Sequence, residues 1–332
     1  MTIVNRKVVL SRRPGGIPQV DDFEVVDEEI GELGDGEILI KVEHLGIDAF
    51  ITTTLDYDGH HGQSELEQPV MALGTGRVVE SRYDGLEEGD AVFGGMGAQQ
   101  YAKKNGSDFT KLDTSIAEAR AYLGVLGMTT GLTAYAGMVL VGEVREGDTV
   151  AVSGAAGAVG TVACQLAKIK GARVIGIAGG AEKCAFLEEI GCAGAIDYKN
   201  ENVGERLKEL APDGLNVFFD NVGGAILDSA LDSITTGARV VICGAISQYA
   251  NMAAVQGPSL YLRLAERNSS MRGFTVDHYA AQFPTMVGEL AAWSADGLIK
   301  LPEQIESGIE NFPRALTLLY SGGHLGKLIV EP

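Results

Sequence analysis

The chain has 332 residues, 45% of them hydrophobic, and a formal net charge of −19. By the usual prior of roughly 150 residues per domain this is enough for two domains with sizeable cores, and so acidic a chain repels nucleic acid and anionic membranes, which excludes both as partners. No stretch approaches the roughly 20 apolar residues of a membrane span, and the start MTIVNRKVVLSRRPGG carries arginines where a signal peptide has an apolar core, so the expected setting is the cytoplasm.

Up to about Leu123 the chain reads as short alternating runs broken by glycine, such as EILIKVEHLGI and GRVVESRY, with turns at Gly15-Gly16, Gly34-Asp35-Gly36 and Gly94-Gly95. This predicts a mostly β domain, a partly open barrel. From Leu123 strands and helices alternate: TVAVSG, the helix carrying Cys164, RVIGIA, the helix carrying Lys183, AIDY, a helix near Leu207, LNVFFDNVGG, the Leu227 helix and RVVICGAIS. Apolar strands spaced by helices predict a parallel sheet covered on both faces. The tail, Phe274 to Pro332, adds helical pattern over Phe283 to Trp293 and Ala315 to Tyr320, then a closing strand, KLIVEP. There is no internal repeat and no low-complexity tract.

Cys164, Cys184, Cys192 and Cys243 show no CxxC spacing, and His44, His60, His61, His278 and His324 do not cluster with them. Neither a metal site nor a disulfide framework is expected. Cys164 and Cys184 fall at apolar positions of predicted helices and read as small buried hydrophobes. His60 and His61 adjoin Asp58 in a polar loop and read as surface.

Chemistry enters at SGAAGAVG, Ser153 to Gly160, which lies between the strand TVAV and the helix TVACQLAKIK. Small residues let a backbone approach a pyrophosphate, and the helix turns its unpaired N–H groups and positive dipole end toward the phosphates. The glycines, Gly154, Gly157 and Gly160, are spaced GxxGxxG rather than GxGxxG, a pattern that purely structural turns also show. A second strand, Arg173 to Ala178, follows about 20 residues later, where an NAD enzyme carries an Asp or Glu for the ribose 2′-hydroxyl. Here that strand runs into Ala178, Gly179 and Gly180, with Lys183 close behind. No carboxylate repels a 2′-phosphate and a cation is at hand, so the residues favour NADPH over NADH. The alternative reading of Lys183 is a solvated surface lysine.

The order of a β-rich front domain, LGVLGMTTGLTAY at Leu123 to Tyr135, VSGAAGAVG, GIAGGAEK, IDY, DNVGG and VVICGAISQY resembles the medium-chain dehydrogenase/reductase superfamily. More narrowly, the chain is similar to the zinc-independent, NADPH-dependent alkenal and prostaglandin reductases, the group of leukotriene B4 dehydrogenase and curcumin reductase. The resemblance implies an α/β fold in which a Rossmann doubly wound parallel sheet is inserted into a GroES-like β-rich catalytic domain. Residues 1–124 would be the catalytic domain, 125–298 the NADPH-binding domain and 299–332 the return to the first. It also implies reduction of the carbon–carbon double bond of a small α,β-unsaturated aldehyde or ketone, and a homodimer formed through the edge of the Rossmann sheet. Zinc-dependent relatives need a Cys early in the front domain; Ile47 stands there, and no cysteine precedes Cys164. Without a Lewis acid, conjugate reduction is more plausible than alcohol oxidation.

The resemblance carries site roles position by position. Ala156, Gly157, Ala158 and Val159 match pyrophosphate contacts; Gly179 leaves room beside Lys183 and Tyr198, the pair for the 2′-phosphate. Asn221 matches a contact near the ribose, with turn capping as the alternative. Cys243, Gly244, Ala245, Ile246, Ser247 and Tyr249 would line the nicotinamide side. Phe274, Thr275 and Val276 would meet the carboxamide by their backbone, although Phe274 and Val276 would serve equally as core. Tyr249 is the catalytic candidate, its phenol stabilising the enolate oxygen or assisting protonation; its other reading is a wall of the cleft. The chain departs from the family pattern at His324, in place of an Asn near the cofactor, at Asp48-Ala49-Phe50-Ile51-Thr52 where the family reads DPYMR, at Ala98 in place of a Trp, and at Thr129-Thr130 in place of a Pro. Phe50, Ala98 and Thr129 would reshape the substrate pocket. Two rivals remain, a quinone oxidoreductase of the same superfamily and a non-catalytic NADPH-binding protein.

Overall fold

The computed structural model describes residues 3–332, which divide into two compact units. One holds the chain up to Gly124 together with Tyr249–Ala253 and Glu303–Pro332; the other holds Val125–Gln248 and Ala254–Pro302.

The first unit is β-rich. Its strands are β1 (Val4–Leu10), β2 (Phe23–Glu29), β3 (Glu37–Ile47), β4 (Leu73–Ser81), β5 (Ala91–Gly95), β6 (Tyr101–Asn105) and β7 (Thr110–Lys111), with the short helix α1 (Phe50–Asp56) after β3. The second unit contributes α2 (Thr133–Tyr135), β8 (Thr149–Ser153), α3 (Ala158–Ile169), β9 (Arg173–Ala178), α4 (Ala181–Glu189), β10 (Gly194–Asp197), α5 (Val203–Leu210), β11 (Leu215–Asp220), α6 (Gly224–Asp232), β12 (Ile234–Ile242), α7 (Leu262–Glu266), β13 (Ser270–Gly273) and α8 (Phe283–Ala295). The chain then returns to the first unit with β14 (Glu303–Ser307), α9 (Phe312–Ser321) and β15 (Lys327–Glu331).

In the first unit the long strand β3 organises the sheet, whose order is β14-β15-β3-β4-β5-β7 with β6 also on β3. The first half of β3, Glu37 to Lys41, pairs with β6, and its last residues pair with β15, Leu45 opposite Val330 and Ile47 opposite Leu328. Alternation along β3 turns Ile38, Ile40 and Val42 into an apolar cluster with Leu10, Val70, Met96, Phe312 and Leu316. The connection from β3 into α1 is secured by charge: Lys327 Nζ, at the start of β15, donates to Asp48 Oδ1 at 2.6 Å, and both side chains are buried.

The second unit carries a parallel sheet in the order β10-β9-β8-β11-β12-β13. Counted from its first strand this is the doubly wound order 3-2-1-4-5-6, in which ligands sit outside the carboxyl ends of the strands at the point between the first and fourth. Here that point lies between β8 and β11. Ala151, Ile175, Ile196, Phe218 and Val240, one from each of five neighbouring strands, belong to one buried cluster under the helices.

Two sequence expectations shift. Cys164 is buried, as an apolar helix position demands, but Cys184 is only partly so: Leu187 is the buried residue of α4, and Cys184 lies on the flank of that contact. The strand expected to run through RVVICGA ends at Ile242, and Tyr249 instead lies on the 3₁₀ segment Ile246–Ala254. Among the described residues no helix is long and apolar enough to cross a membrane.

The buried ion pair sets a test of stability. Replacing Lys327 with Met leaves the Asp48 carboxylate buried and unpaired, which should cost about 3–5 kcal/mol, read as a lowered denaturant midpoint. The double variant Lys327→Met, Asp48→Leu should recover most of the loss, and a double variant as unstable as the single one would show that the pair is not what holds β15 to α1.

Candidate active site

The turn after β8 is shaped by missing side chains. Gly154 adopts φ +58°, in the left-handed region, and a Cβ on Gly160 would stand 2.3 Å from the Gly154 carbonyl oxygen, so the first turn of α3 can lie directly on the loop only because Gly160 has none. α3 begins at Gly157 without a side-chain cap, and its positive end and first N–H groups are directed past the turn. Gly157, Ala158 and Val159 keep some exposure there, whereas Ala156 is buried beneath them. This is an anion cradle, and it fits a pyrophosphate.

The end of β9 builds a second one. Gly179 and Gly180 follow the buried Ala178; Gly180 has φ +98°, and a Cβ there would meet open space. A Cβ on Gly179 would come within 2.9 Å of both the Lys199 side chain and the Tyr198 ring, so those two side chains close over the glycine. Lys183, on α4, is partly buried, and that burial, followed by the nearby Lys199 charge, holds its ammonium below the ordinary lysine range. Two cations and an aromatic ring thus gather over a glycine floor, the donor set that a phosphate monoester requires. The carboxylate at the end of β10 is turned away from this role. Asp197 Oδ1 accepts from the Gly180 N–H at 2.7 Å and the Lys199 N–H at 3.1 Å, while Oδ2 accepts from Asn200 Nδ2 at 2.7 Å. These bonds, the Gly180 N–H first, keep it ionised and fix the two glycine and lysine backbones together.

Sequence reading missed Lys199. It lies 16 positions beyond Lys183 along the chain, and the signal that could have found it is the pairing of β10 beside β9, Asp197 opposite Ala178, which brings the residues after the two strand ends together.

At the carboxyl ends of β8, β11 and β12 the buried Asp220 gathers the loops. Its Oδ1 accepts from Ser153 Oγ at 2.6 Å and from the Val222 N–H at 3.0 Å, its Oδ2 accepts from the Gly223 N–H at 3.0 Å, and its backbone carbonyl accepts from the Cys243 and Gly244 N–H groups at 2.9 and 3.0 Å. Burial pushes its carboxyl upward, against the opposing pull of the Ser153 and Gly223 bonds. Asn221 donates from its backbone to Ser153 Oγ at 2.8 Å and from Nδ2 to the Ser153 carbonyl at 2.7 Å, so its side-chain amide nitrogen braces the turn. Ile246 and Ser247 donate from their backbones to the Asn221 and Val222 carbonyls at 3.1 and 3.2 Å, which lays Cys243–Ser247 along the loop after β11. Burial, then the Asp220 charge, pushes the Cys243 thiol up to about 12, and Ser247 Oγ donates to the Val222 carbonyl at 2.6 Å. Neither is a ready acid.

The expected carboxamide segment follows β13. Phe274 packs where a Cβ on Gly137 would stand, 2.8 Å from its ring, and stacks edge-on with Tyr279. Thr275 Oγ1 is buried and has no partner in the protein, which suits a segment that meets a polar ligand. Val276 is partly buried at the start of the 3₁₀ segment that leads to α8, and Thr129 is partly exposed in the helical stretch Met128–Leu132.

In the first unit, Ala98 is fully buried within the apolar cluster, Phe50 packs partly against that cluster with the His61 ring tilted against it, centroids 4.9 Å apart, and His324 Nδ1 lies 3.3 Å from the Leu318 carbonyl. His60 and His61 are exposed. Tyr320 is a residue that sequence reading did not single out: it stands near Thr52 and Tyr249, and burial pushes its phenol up to about 12. Among the described residues no three His, Cys, Asp or Glu side chains are grouped so as to hold a metal ion.

Comparison with known proteins places this arrangement. Residues 158–292 match the family described as Zinc-binding dehydrogenase, and residues 6–112 the family described as N-terminal domain of oxidoreductase. NADPH-dependent curcumin reductase of Escherichia coli is 32% identical over 334 residues, 98% of this chain and 96% of its own length. Prostaglandin reductase 1 of Bos taurus is 35% identical over 327 residues, 95% of each. The crystal structure of CurA from Vibrio vulnificus in complex with NADPH gives a TM-score of 0.92 at 33% identity, covering 98% of both chains, whereas a quinone oxidoreductase of Pseudomonas syringae gives 0.77 at 25% over the whole of both. The relatives span nearly the full length, and the chain belongs to the medium-chain dehydrogenase/reductase superfamily, within its alkenal and prostaglandin reductases, and is an oxidoreductase.

Proposed function

We propose that the protein uses NADPH to reduce the carbon–carbon double bond of α,β-unsaturated aldehydes and ketones. NADPH, when bound, supplies the hydride. The chain's own residues have three further tasks: to hold the cofactor's phosphates, to stabilise the charge that develops on the carbonyl oxygen as an enolate forms, and to direct a proton to the α-carbon. The first falls to the α3 turn and to the Lys183, Tyr198 and Lys199 cluster. Tyr249 takes the second and assists the third. The observation that carries this reading is that, along Cys243–Tyr249, the thiol is held protonated and the serine hydroxyl is engaged with a carbonyl, which leaves the Tyr249 phenol as the acid of the segment. A phenol donates to an oxygen that gains negative charge without itself being ionised at neutral pH. Kinship with a curcumin reductase at 32% identity over nearly the whole chain favours an enone acceptor.

The direct test mixes protein and NADPH with 2-nonenal, 3-nonen-2-one or a naphthoquinone and follows cofactor absorbance. Both nonenyl substrates should be consumed, with the saturated carbonyl as product, and Tyr249→Phe should lower kcat by about a hundredfold with little change in NADPH affinity. Oxidation with the quinone alone would sink the enone reading, and an unchanged rate in the variant would remove Tyr249 from the chemistry.

Lys183→Ala and Lys199→Ala should each weaken NADPH binding by about ten- to a hundredfold, as loss of a charge-assisted bond does, and leave NADH almost untouched. Because the Lys183 ammonium is held below the ordinary range, its charge is lost as pH rises through that lowered value. The KM for NADPH should therefore climb at alkaline pH, and Lys183→Arg should move that climb to higher pH. Equal losses for the two cofactors would refute the phosphate role.

The same reading includes a small cytoplasmic enzyme that pairs through the edge strand β13, where Met271, with Tyr261 and Leu262 ahead of it, is exposed. Light scattering should give twice the chain mass, and Met271→Lys should reduce it to one chain; a monomer in the unaltered protein would rule the pairing out.

A further inference from the structure

Gln248 commits both polar atoms of its side chain to one residue. Its Oε1 accepts from the Gln256 N–H at 2.6 Å, and its Nε2 donates to the Gln256 carbonyl at 3.0 Å. The amide thus pairs with a backbone eight positions away much as a neighbouring strand would, through one donor and one acceptor. A partly exposed glutamine ordinarily leaves its amide to water, because pinning a long side chain costs rotamer freedom. Here the planar group is also backed. It lies over Gly223, where a Cβ would stand 3.4 Å from Nε2, and Gly223, at φ +74°, is itself fixed by its N–H on Asp220 Oδ2 at 3.0 Å. The backbone of Gln248 is anchored too, its N–H donating to the Ala245 carbonyl at 2.8 Å.

What the amide closes is the excursion Tyr249–Val255. Before it, Ile246 and Ser247 are tied to the loop after β11; beyond Gln256, Ser259 Oγ and the Leu260 N–H donate to the Asp228 carboxylate, on α6, at 2.7 and 3.0 Å. Both ends of the closure, Gln248 and Gln256, belong to the second unit. Within the excursion regular structure is broken. Asn251, at φ −148° and ψ 72°, interrupts the 3₁₀ segment, and Asn251, Ala253, Ala254 and Val255 are exposed. A kinked segment with an exposed far side depends on the closure at its base for its shape. Tyr249 is the first residue past that closure.

We propose that Gln248 is a positioning residue for the reduction: its amide clamps the base of the Tyr249–Val255 excursion and so holds the Tyr249 phenol where the enolate oxygen forms. The inference rests on the assignment of enolate stabilisation to Tyr249. Gln248 acts through its neighbour and touches neither cofactor nor substrate in this role. A donor meets developing charge effectively only when it is fixed in advance, and a phenol on an opened loop would have to be ordered anew in each turnover. The clamp grips the Gln256 backbone, so the side chain at position 256 is immaterial while the amide at position 248 is not.

The test follows 3-nonen-2-one and NADPH in the unaltered protein, Gln248→Met, Gln248→Glu, Gln256→Ala, Tyr249→Phe and the double variant Gln248→Met, Tyr249→Phe. Gln248→Met keeps the length of the side chain and loses both bonds. It should lower kcat about tenfold, leave NADPH affinity and the thermal midpoint unchanged, and make chymotrypsin cut after Tyr249 about tenfold faster. Gln256→Ala should behave as the unaltered protein. The double variant should be no slower than Tyr249→Phe alone, because residues that act as a unit do not add. Gln248→Glu supplies a second signature: its protonated carboxyl can donate to the Gln256 carbonyl and accept from the N–H, whereas its carboxylate can only accept. Relative to the unaltered protein, its kcat should match that of Gln248→Met above neutral pH and recover as pH falls toward about 5. Losses that multiply in the double variant, or an unchanged kcat in Gln248→Met beside a slowed Tyr249→Phe, would overturn the clamp and leave the assignment of Tyr249 standing. No loss of rate in Tyr249→Phe would overturn both.

Discussion

The second unit depends on a single buried carboxylate. Asp220 ends β11, and its oxygens take N–H and O–H donors from the ends of β8 and β12 and from its own following turn. Parallel strands leave their carboxyl ends as separate loops, each of which would be mobile alone. A carboxylate accepts in several directions at once, and this one joins three loops into one surface. The cost is desolvation, visible in the upward push on its own acidity, and the return is positional: Ser153, Asn221 and Cys243–Ser247 are all fixed relative to the glycine turn. The glycine turn and Cys243–Ser247 stand on that fixed surface.

The parts of this site that were legible in the sequence are those in which the signal is local. A strand, a glycine turn and a helix follow one another within Thr149 to Ile169, and the period of the apolar residues marks each. The parallel sheet was legible for the same reason, since its strands are short apolar runs between helices. Lys183 was visible because it follows its strand directly. Lys199 was not, because its partnership depends on which strand lies beside β9, and strand order is a property of the sheet rather than of any segment. Asp220 was part of a recognised run, DNVGG, but nothing in that run says that the carboxylate faces Ser153, which is 67 positions away.

The first unit shows the same limit more sharply. Its alternating runs announced strands, whereas the juxtaposition of Thr52 with Tyr320 joins a helix at one end of the chain to a helix near the other. A threonine beside two other threonines looks ordinary until its neighbours' hydrogen bonds are traced. Of the five residues Asp48 to Thr52, Asp48 and Thr52 are the two with an unsatisfied buried oxygen.

The closing of β3 by β15 has a consequence for how the protein is made. Asp48 and Lys327 are 279 positions apart, with the entire parallel sheet between them. During synthesis β3 and β4 leave the ribosome early, but β3 cannot acquire its neighbour over Leu45 to Ile47 until every strand from β8 to β13 has emerged. Long-range pairing of this kind is slow, and it exposes an incomplete sheet edge while it waits. The second unit draws its strands from one continuous stretch and can fold as it appears. The unit that begins the chain is therefore the last to be completed, and for most of translation its apolar face and the edge of β3 need the shelter that α9 and β15 later provide.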